Sequence, residues 1–179
     1  MTIRRWSGWL TMVALSAGTA RAQTVGSVSL GPMAGVQVRG ADREAVVGGS
    51  ARFGFEAGRW FLGPEFSVVR GARTRTTGIG LVIRFSGRGE RVRPFAVGGA
   101  GSYRWSTRYQ YLLPNGQAIE DWSGVDYFSV SFGGGVELGT QGRLNPLLEV
   151  RYHGNIQRDD IVTGGRGLVT AGVGLRYRW

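Results

Sequence analysis

What most constrains this chain is a two-residue alternation of apolar and polar side chains that recurs from about residue 27 to residue 179. In the last stretch, LVTAGVGLRYRW, one parity carries Val169, Ala171, Val173, Leu175, Tyr177 and Trp179. The other carries Thr170, Gly172, Gly174, Arg176 and Arg178. A period of two sends successive side chains to opposite faces of an extended strand, so the segment has one apolar and one polar face. Seven earlier segments repeat the pattern, at about 27–38, 45–57, 60–69, 76–86, 93–105, 125–138 and 146–153. No window after residue 23 has the length and apolar continuity of a membrane helix. The chain is therefore expected to be all-β, with eight strands.

The links between segments alternate in length. Gly58-Arg59 joins the second and third segments; glycine first suits a type II′ turn, which sets Ala57 against Trp60 and Arg52 against Glu65. Links 87–92 and 139–145 fall at the same end. At the other end lie 39–44, 70–75, 106–124 and 154–167, longer on average. Short turns at one end and longer loops at the other describe an eight-stranded antiparallel up-and-down transmembrane β-barrel. The aromatics sort accordingly. Trp60, Phe85 and Phe95, with Phe53, Phe55, Tyr177 and Trp179, gather near the short-turn end. Tyr103, Trp105, Tyr127, Phe128 and Tyr152 gather near the loop end. Two aromatic girdles around a Val/Leu/Ile band match the two interfaces of a bilayer.

In such a barrel the apolar faces meet lipid and the opposite faces fill the lumen, the reverse of a soluble carrier barrel. The inward faces would carry Arg52, Glu56, Glu65, Arg84, Arg104, Glu137, Glu149, Arg151, Arg176 and Arg178 among glycine, serine and alanine. An unpaired buried charge is costly, so these residues are expected to pair and plug the lumen. The pattern has faults. Val69 and Val82 fall on the polar parity, and Pro32 and Pro64 should disturb the ladders beside them.

The first 22 residues stand apart. Arg4 and Arg5 precede an apolar stretch at about 9–17, and Ala20-Arg21-Ala22 forms an A-x-A site before Gln23. Residues 1–22 read as a secretory signal peptide and residues 23–179 as the barrel domain. There is no cysteine, so no disulfide holds the exported chain together. The formal charge is +10, or +7 once Arg4, Arg5 and Arg21 are removed, and every basic residue is arginine. For an exported chain this points to outer-membrane lipid and lipopolysaccharide phosphate as partners rather than nucleic acid. Arg39, Arg43, Arg70, Arg73, Arg75, Arg108 and Arg158 lie on the loop side, placed to meet such phosphates.

Catalytic motifs are scarce. Without lysine there is no Walker loop, without cysteine no thiolate metal site, and a single histidine cannot make H-E-x-x-H. No cofactor, metal or catalytic set is expected. The longest link, STRYQYLLPNGQAIEDWSG at 106–124, mixes tyrosine, leucine and tryptophan with charge around the turn signal LPNG. It reads as a partner-binding loop or a β-ribbon projecting above the membrane.

Residues 23–179 resemble the small eight-stranded outer-membrane barrels of the OmpA/OmpX-like superfamily. The resemblance is carried by the signal peptide, RPFAVGGAGSYRW, FSVSFGGGVELG, LLEVRYHG and the terminal AGVGLRYRW. It implies a monomeric, non-enzymatic outer-membrane protein with a structural or surface-interaction role. It also implies that Val173, Leu175, Tyr177 and Trp179 form the C-terminal signal read by the outer-membrane assembly machinery. Two other functions stay open. One is a narrow pore. The other is a lipid A-modifying hydrolase using His153, although the serine that follows the histidine of lipid A deacylases by two residues is here Asn155.

Overall fold

A computed structural model describes residues 24–39, 42–139, 142–155 and 166–179; the signal peptide expected at 1–22 and most of link 154–167 lie outside them. Eight antiparallel strands close into a barrel: β1 (Thr24–Arg39), β2 (Asp42–Ala57), β3 (Trp60–Arg70), β4 (Thr74–Ser86), β5 (Val92–Leu112), β6 (Ala118–Leu138), β7 (Leu144–Asn155) and β8 (Arg166–Arg178). Each strand pairs with its sequence neighbours, and β1 pairs with β8, so the barrel wall closes without an open edge. From Val36 of β1 the ladder runs through Val169, Tyr152, Phe132, Gly98, Ile83, Leu62 and Phe55 and returns to β1 at Gly26. One circuit thus displaces the register by ten residues, from 36 to 26. Eight strands enclose only enough space for side chains.

In seven strands the faces lie as the alternation predicts. Leu30, Phe53, Leu62, Leu81, Phe132, Val150 and Leu175 are exposed on the outside, while Arg52, Glu65, Arg84, Glu137, Glu149, Arg151 and Arg176 are buried within. A continuous outward apolar band is the surface of a transmembrane barrel.

Strand β5 is inverted relative to expectation. Phe95, Val97, Tyr103 and Trp105 are buried in the lumen, and Ala96, Ala100, Ser102 and Arg104 face out. Register is the cause. Ser86 pairs with Phe95 and Arg84 with Val97. Directly paired residues share a face, so inward Arg84 and Ser86 take the odd positions of β5 inward with them. A shift of one residue in link 87–91 would flip the whole strand. Packing supports the observed choice: Phe61, Val82, Phe95, Val97 and Leu147 form an apolar cluster inside the barrel. The two faults in the alternation now have an explanation. Val82 belongs to this cluster, and Val69 packs inside with Val46 and Leu168. Glycines make room for the inward rings. A Cβ on Gly135 would stand 2.7 Å from Phe95 Cζ, and one on Gly78 would strike the Tyr103 ring.

Both prolines sit at ladder gaps. The β1–β8 pairing skips Gly31 and Pro32, and the β2–β3 pairing skips Gly63 and Pro64. Segment 106–124, read from sequence as a loop or ribbon, is mostly ribbon. β5 and β6 are 21 residues each and stay paired out to Leu112 and Ala118, leaving a tip of 113–117 with Gly116 at φ 80°.

Candidate functional site

Inside the barrel the charged residues form two clusters. The first crosses the middle of the lumen. The short turn at Gly58-Arg59 sets Arg52 on β2 opposite Glu65 on β3, as expected, and their side chains are hydrogen-bonded. From the far wall, β7 contributes Glu149 and Arg151. Arg52 donates from both Nη atoms to Glu149, at 2.6 Å each. Arg151 Nη1 donates to both Glu65 oxygens at 2.7 and 2.9 Å, and its Nε lies 3.1 Å from Glu149. The result is a closed tetrad of two arginines and two glutamates, neutral overall, with every side chain at most 9% exposed. Charge-assisted, forked pairs of this kind are the strong ones.

The second cluster lies toward the short-turn end. Glu56 is 3.3 Å from Arg84, 3.1 Å from Arg176 and 2.9 Å from Arg178. Glu137, fully buried, pairs with Arg176 and, at 2.8 Å, with Arg178. Three arginines here share two glutamates. Beside them buried Asn145 donates to Gly139 O at 3.0 Å and Gly142 O at 3.3 Å, tying the cluster to the short-turn end. Arg104 does not join either cluster. The inversion of β5 turns it outward, where it is 61% exposed and 3.9 Å from Asp126.

Toward the loop end the lumen is aromatic and polar. The Tyr103 ring lies 5.9 Å from Tyr127 and 5.7 Å from His153, centroid to centroid, with Trp105 buried beside them. Gln37 donates to Thr76 at 3.0 Å, and the Thr74 hydroxyl reaches Gln37 at 2.9 Å and Glu44 at 2.6 Å. The girdles are corrected in consequence. Trp60 and Phe85 face out and pack at 4.7 Å, and Phe128 and Tyr152 also face out. Phe95, Tyr103, Trp105 and Tyr127 are lumen residues, because register and not apolarity sets their face. The terminal residues Val173, Leu175, Tyr177 and Trp179 face out, with Tyr177 and Trp179 stacked at 6.2 Å.

His153 also faces the lumen, 7% exposed. Ser131 is its direct partner across the β6–β7 ladder, a proximity invisible in the sequence, while Ser102 faces out. Both residues of the pair face the lumen, away from the outer apolar band.

The outer rim carries the remaining arginines that sequence pointed to. Arg70 and Arg75 are directly paired across β3–β4, both exposed, and Arg104 sits opposite Thr77 one step along. Arg43 and Arg73 are exposed nearby, and Arg108 pairs with Glu120 at 3.5 Å. Arg158 and the Arg39 side chain lie outside the described residues.

No family model matches the chain, and no curated protein matches its sequence. Its fold is similar to that of a Neisserial protein, surface protein A (NspA), with a TM-score of 0.70 at 12% identity over 86% of this chain and 97% of that one. It is also similar to Ail, the attachment invasion locus protein of Yersinia pestis, solved with the heparin analogue sucrose octasulfate: TM-score 0.59 at 15% identity over 87% of this chain and 99% of that one. At such identities the likeness speaks for the fold.

Proposed function

We propose that this small eight-stranded outer-membrane β-barrel, of the OmpA/OmpX-like kind, is a non-enzymatic surface-interaction protein with a plugged lumen, and that it meets its partner through the β5–β6 ribbon. The ribbon carries the reading. Among the described residues, β5 beyond Arg108, whose N–H still donates to Arg73 O at 2.8 Å, and β6 before Ser129 lose their other neighbours, so 109–121 pair only with each other. Register places Tyr109, Tyr111 and Ile119 on one ribbon face, all exposed, with the tyrosines stacked at 6.4 Å. The opposite face holds Arg108, Gln110 and Glu120, joined by hydrogen bonds. Exposed aromatics on a two-stranded support projecting from the barrel are suited to protein contact.

Two further parts complete the proposal. Arg70 and Arg75 are like charges set face to face, an arrangement that repels unless an anion bridges it. Lipopolysaccharide phosphate at the outer leaflet supplies that anion, with Arg104 alongside. Val173, Leu175, Tyr177 and Trp179 serve as the assembly signal, so Trp179→Ala should lower the amount of barrel recovered in the outer-membrane fraction without preventing export.

The test compares cells displaying the full chain with cells whose ribbon, 108–122, is replaced by an Asn-Gly turn. Both barrels should show the heat-dependent gel mobility of a folded barrel, and only the full chain should adhere to protein-coated surfaces. Equal adhesion would remove the ribbon from the proposal. Discrete conductance in planar bilayers would replace the plug with the narrow-pore reading, and a His153-dependent change in lipid A acylation would replace the non-enzymatic one.

A further inference from the structure

The two-residue turn between β2 and β3 does more than set register. Gly58 takes φ 61°, and no residue other than glycine has a positive φ among the described residues, so Arg59 follows with an ordinary backbone. The Arg59 side chain is held twice. Its Nε donates to the Ser86 carbonyl at 2.9 Å, and its guanidinium carbon lies 4.5 Å from the centre of the Phe85 ring. Behind it the Ser86 N–H donates to the Arg59 carbonyl at 2.8 Å, which fixes the turn to the end of β4. The Nε and one face of the guanidinium are thus used, while its two Nη groups have no partner among the described residues. Arg59 is exposed, and so is its neighbour Trp60, which packs against Phe85 at 4.7 Å. The adjacent turn carries exposed Arg88 and Arg91 with one carboxylate, Glu90, and exposed Arg143 precedes β7 at the same end.

We infer that Arg59 and the Phe85–Trp60 ring pair form a binding site for the phosphodiester of an anionic phospholipid in the leaflet at the short-turn end. Trp60 and Phe85 close the outward apolar band there, the level at which acyl chains give way to headgroups. A guanidinium stacked on a ring and tied at Nε presents its two Nη groups as a fork, and such a fork matches two phosphate oxygens. Because the carbonyl and the ring hold Arg59 before the lipid arrives, little side-chain freedom is lost on binding. Arg88, Arg91 and Arg143 outnumber Glu90 around it, which favours a headgroup of net negative charge over a zwitterionic one. The site is at the opposite end of the barrel from the ribbon and from the Arg70–Arg75 pair, and it does not rest on what either of them binds.

Native mass spectrometry of the full barrel in detergent tests it, with phosphatidylglycerol and phosphatidylcholine of identical chains added in equal amounts. The wild-type barrel should retain phosphatidylglycerol in preference. Arg59→Gln should lower that preference about fivefold, the scale of one basic residue at an anionic membrane surface. Arg143→Gln removes the same charge from a turn where the arginine stacks on no ring among the described residues, and it should keep most of the preference. Phe85→Leu leaves every charge in place but removes the ring that orients Arg59, so it should lower the preference as well. Each variant is first checked for the heat-dependent gel mobility of a folded barrel, and either Arg59→Gln or Phe85→Leu decides the matter if the other does not fold. Inorganic phosphate added at constant ionic strength should leave the lipid bound, because the rings hold its chains. Equal retention of the two lipids by the wild type, equal losses in Arg59→Gln and Arg143→Gln, an unchanged preference in Phe85→Leu, or displacement by inorganic phosphate would overturn the assignment.

Discussion

The two charge clusters of the lumen sit one above the other and obey different arithmetic. In the tetrad of Arg52, Glu65, Glu149 and Arg151, each group has two opposite partners and the sum is zero. In the cluster of Glu56, Glu137, Arg84, Arg176 and Arg178, carboxylates are the scarce component. The lesson is that the same residue type, a buried lumen arginine, is indispensable in one cluster and in excess in the other.

The sharpest way to break this comparison is to remove one arginine from each cluster. Arg151→Met leaves Glu65 and Glu149 competing for Arg52 and should cost ~3–5 kcal/mol in urea unfolding from micelles, the scale for orphaning a buried charge. Next in size is the double replacement Arg151→Met with Glu65→Leu. It removes a charge of each sign, so much of the loss should return and a coupling of roughly 0.5–3 kcal/mol should appear in the cycle. Arg84→Met should cost about 1 kcal/mol or less, because Glu56 keeps Arg176 and Arg178 as partners. A loss as large as that of Arg151→Met would show that the clusters are equivalent after all. The smallest effect belongs outside the barrel. Tyr111→Ala on the ribbon should shift stability by no more than about 0.5 kcal/mol while reducing adhesion of displaying cells.

A second contrast concerns β5 and β8, two strands with equally clear alternation in sequence. On β8 the apolar parity meets lipid, and on β5 it fills the lumen. The difference is physical. β8 carries Arg176 and Arg178 on its other parity, charges that lipid excludes, so its face is decided locally. The other parity of β5 within the bilayer-facing stretch is Ala96, Gly98, Ala100 and Ser102, small residues that tolerate lipid, and its two arginines, Arg104 and Arg108, lie at the loop-end rim and on the ribbon beyond it, where water and headgroups receive them. Nothing within the strand opposes inversion. Gly78 and Gly135, which clear space for the Tyr103 and Phe95 rings, were the available hint, but they are legible only once the register brings them opposite those rings.

The sequence by itself determined eight antiparallel strands, the outward faces of seven of them, the Arg52–Glu65 pair and the ladder breaks beside Pro32 and Pro64. Each follows from a period of two, a short turn or a missing N–H, all of which act within one hairpin. Only the tertiary structure decided the inversion of β5, the reach of Arg52 to Glu149, the placing of His153 beside Ser131 and the sharing of Glu56 among three arginines. These depend on the register of link 87–91 and on the ten-residue stagger of closure. Both quantities belong to the closed ring and not to any one strand, because a barrel sets which residues meet across its lumen only when its last strand pairs with its first.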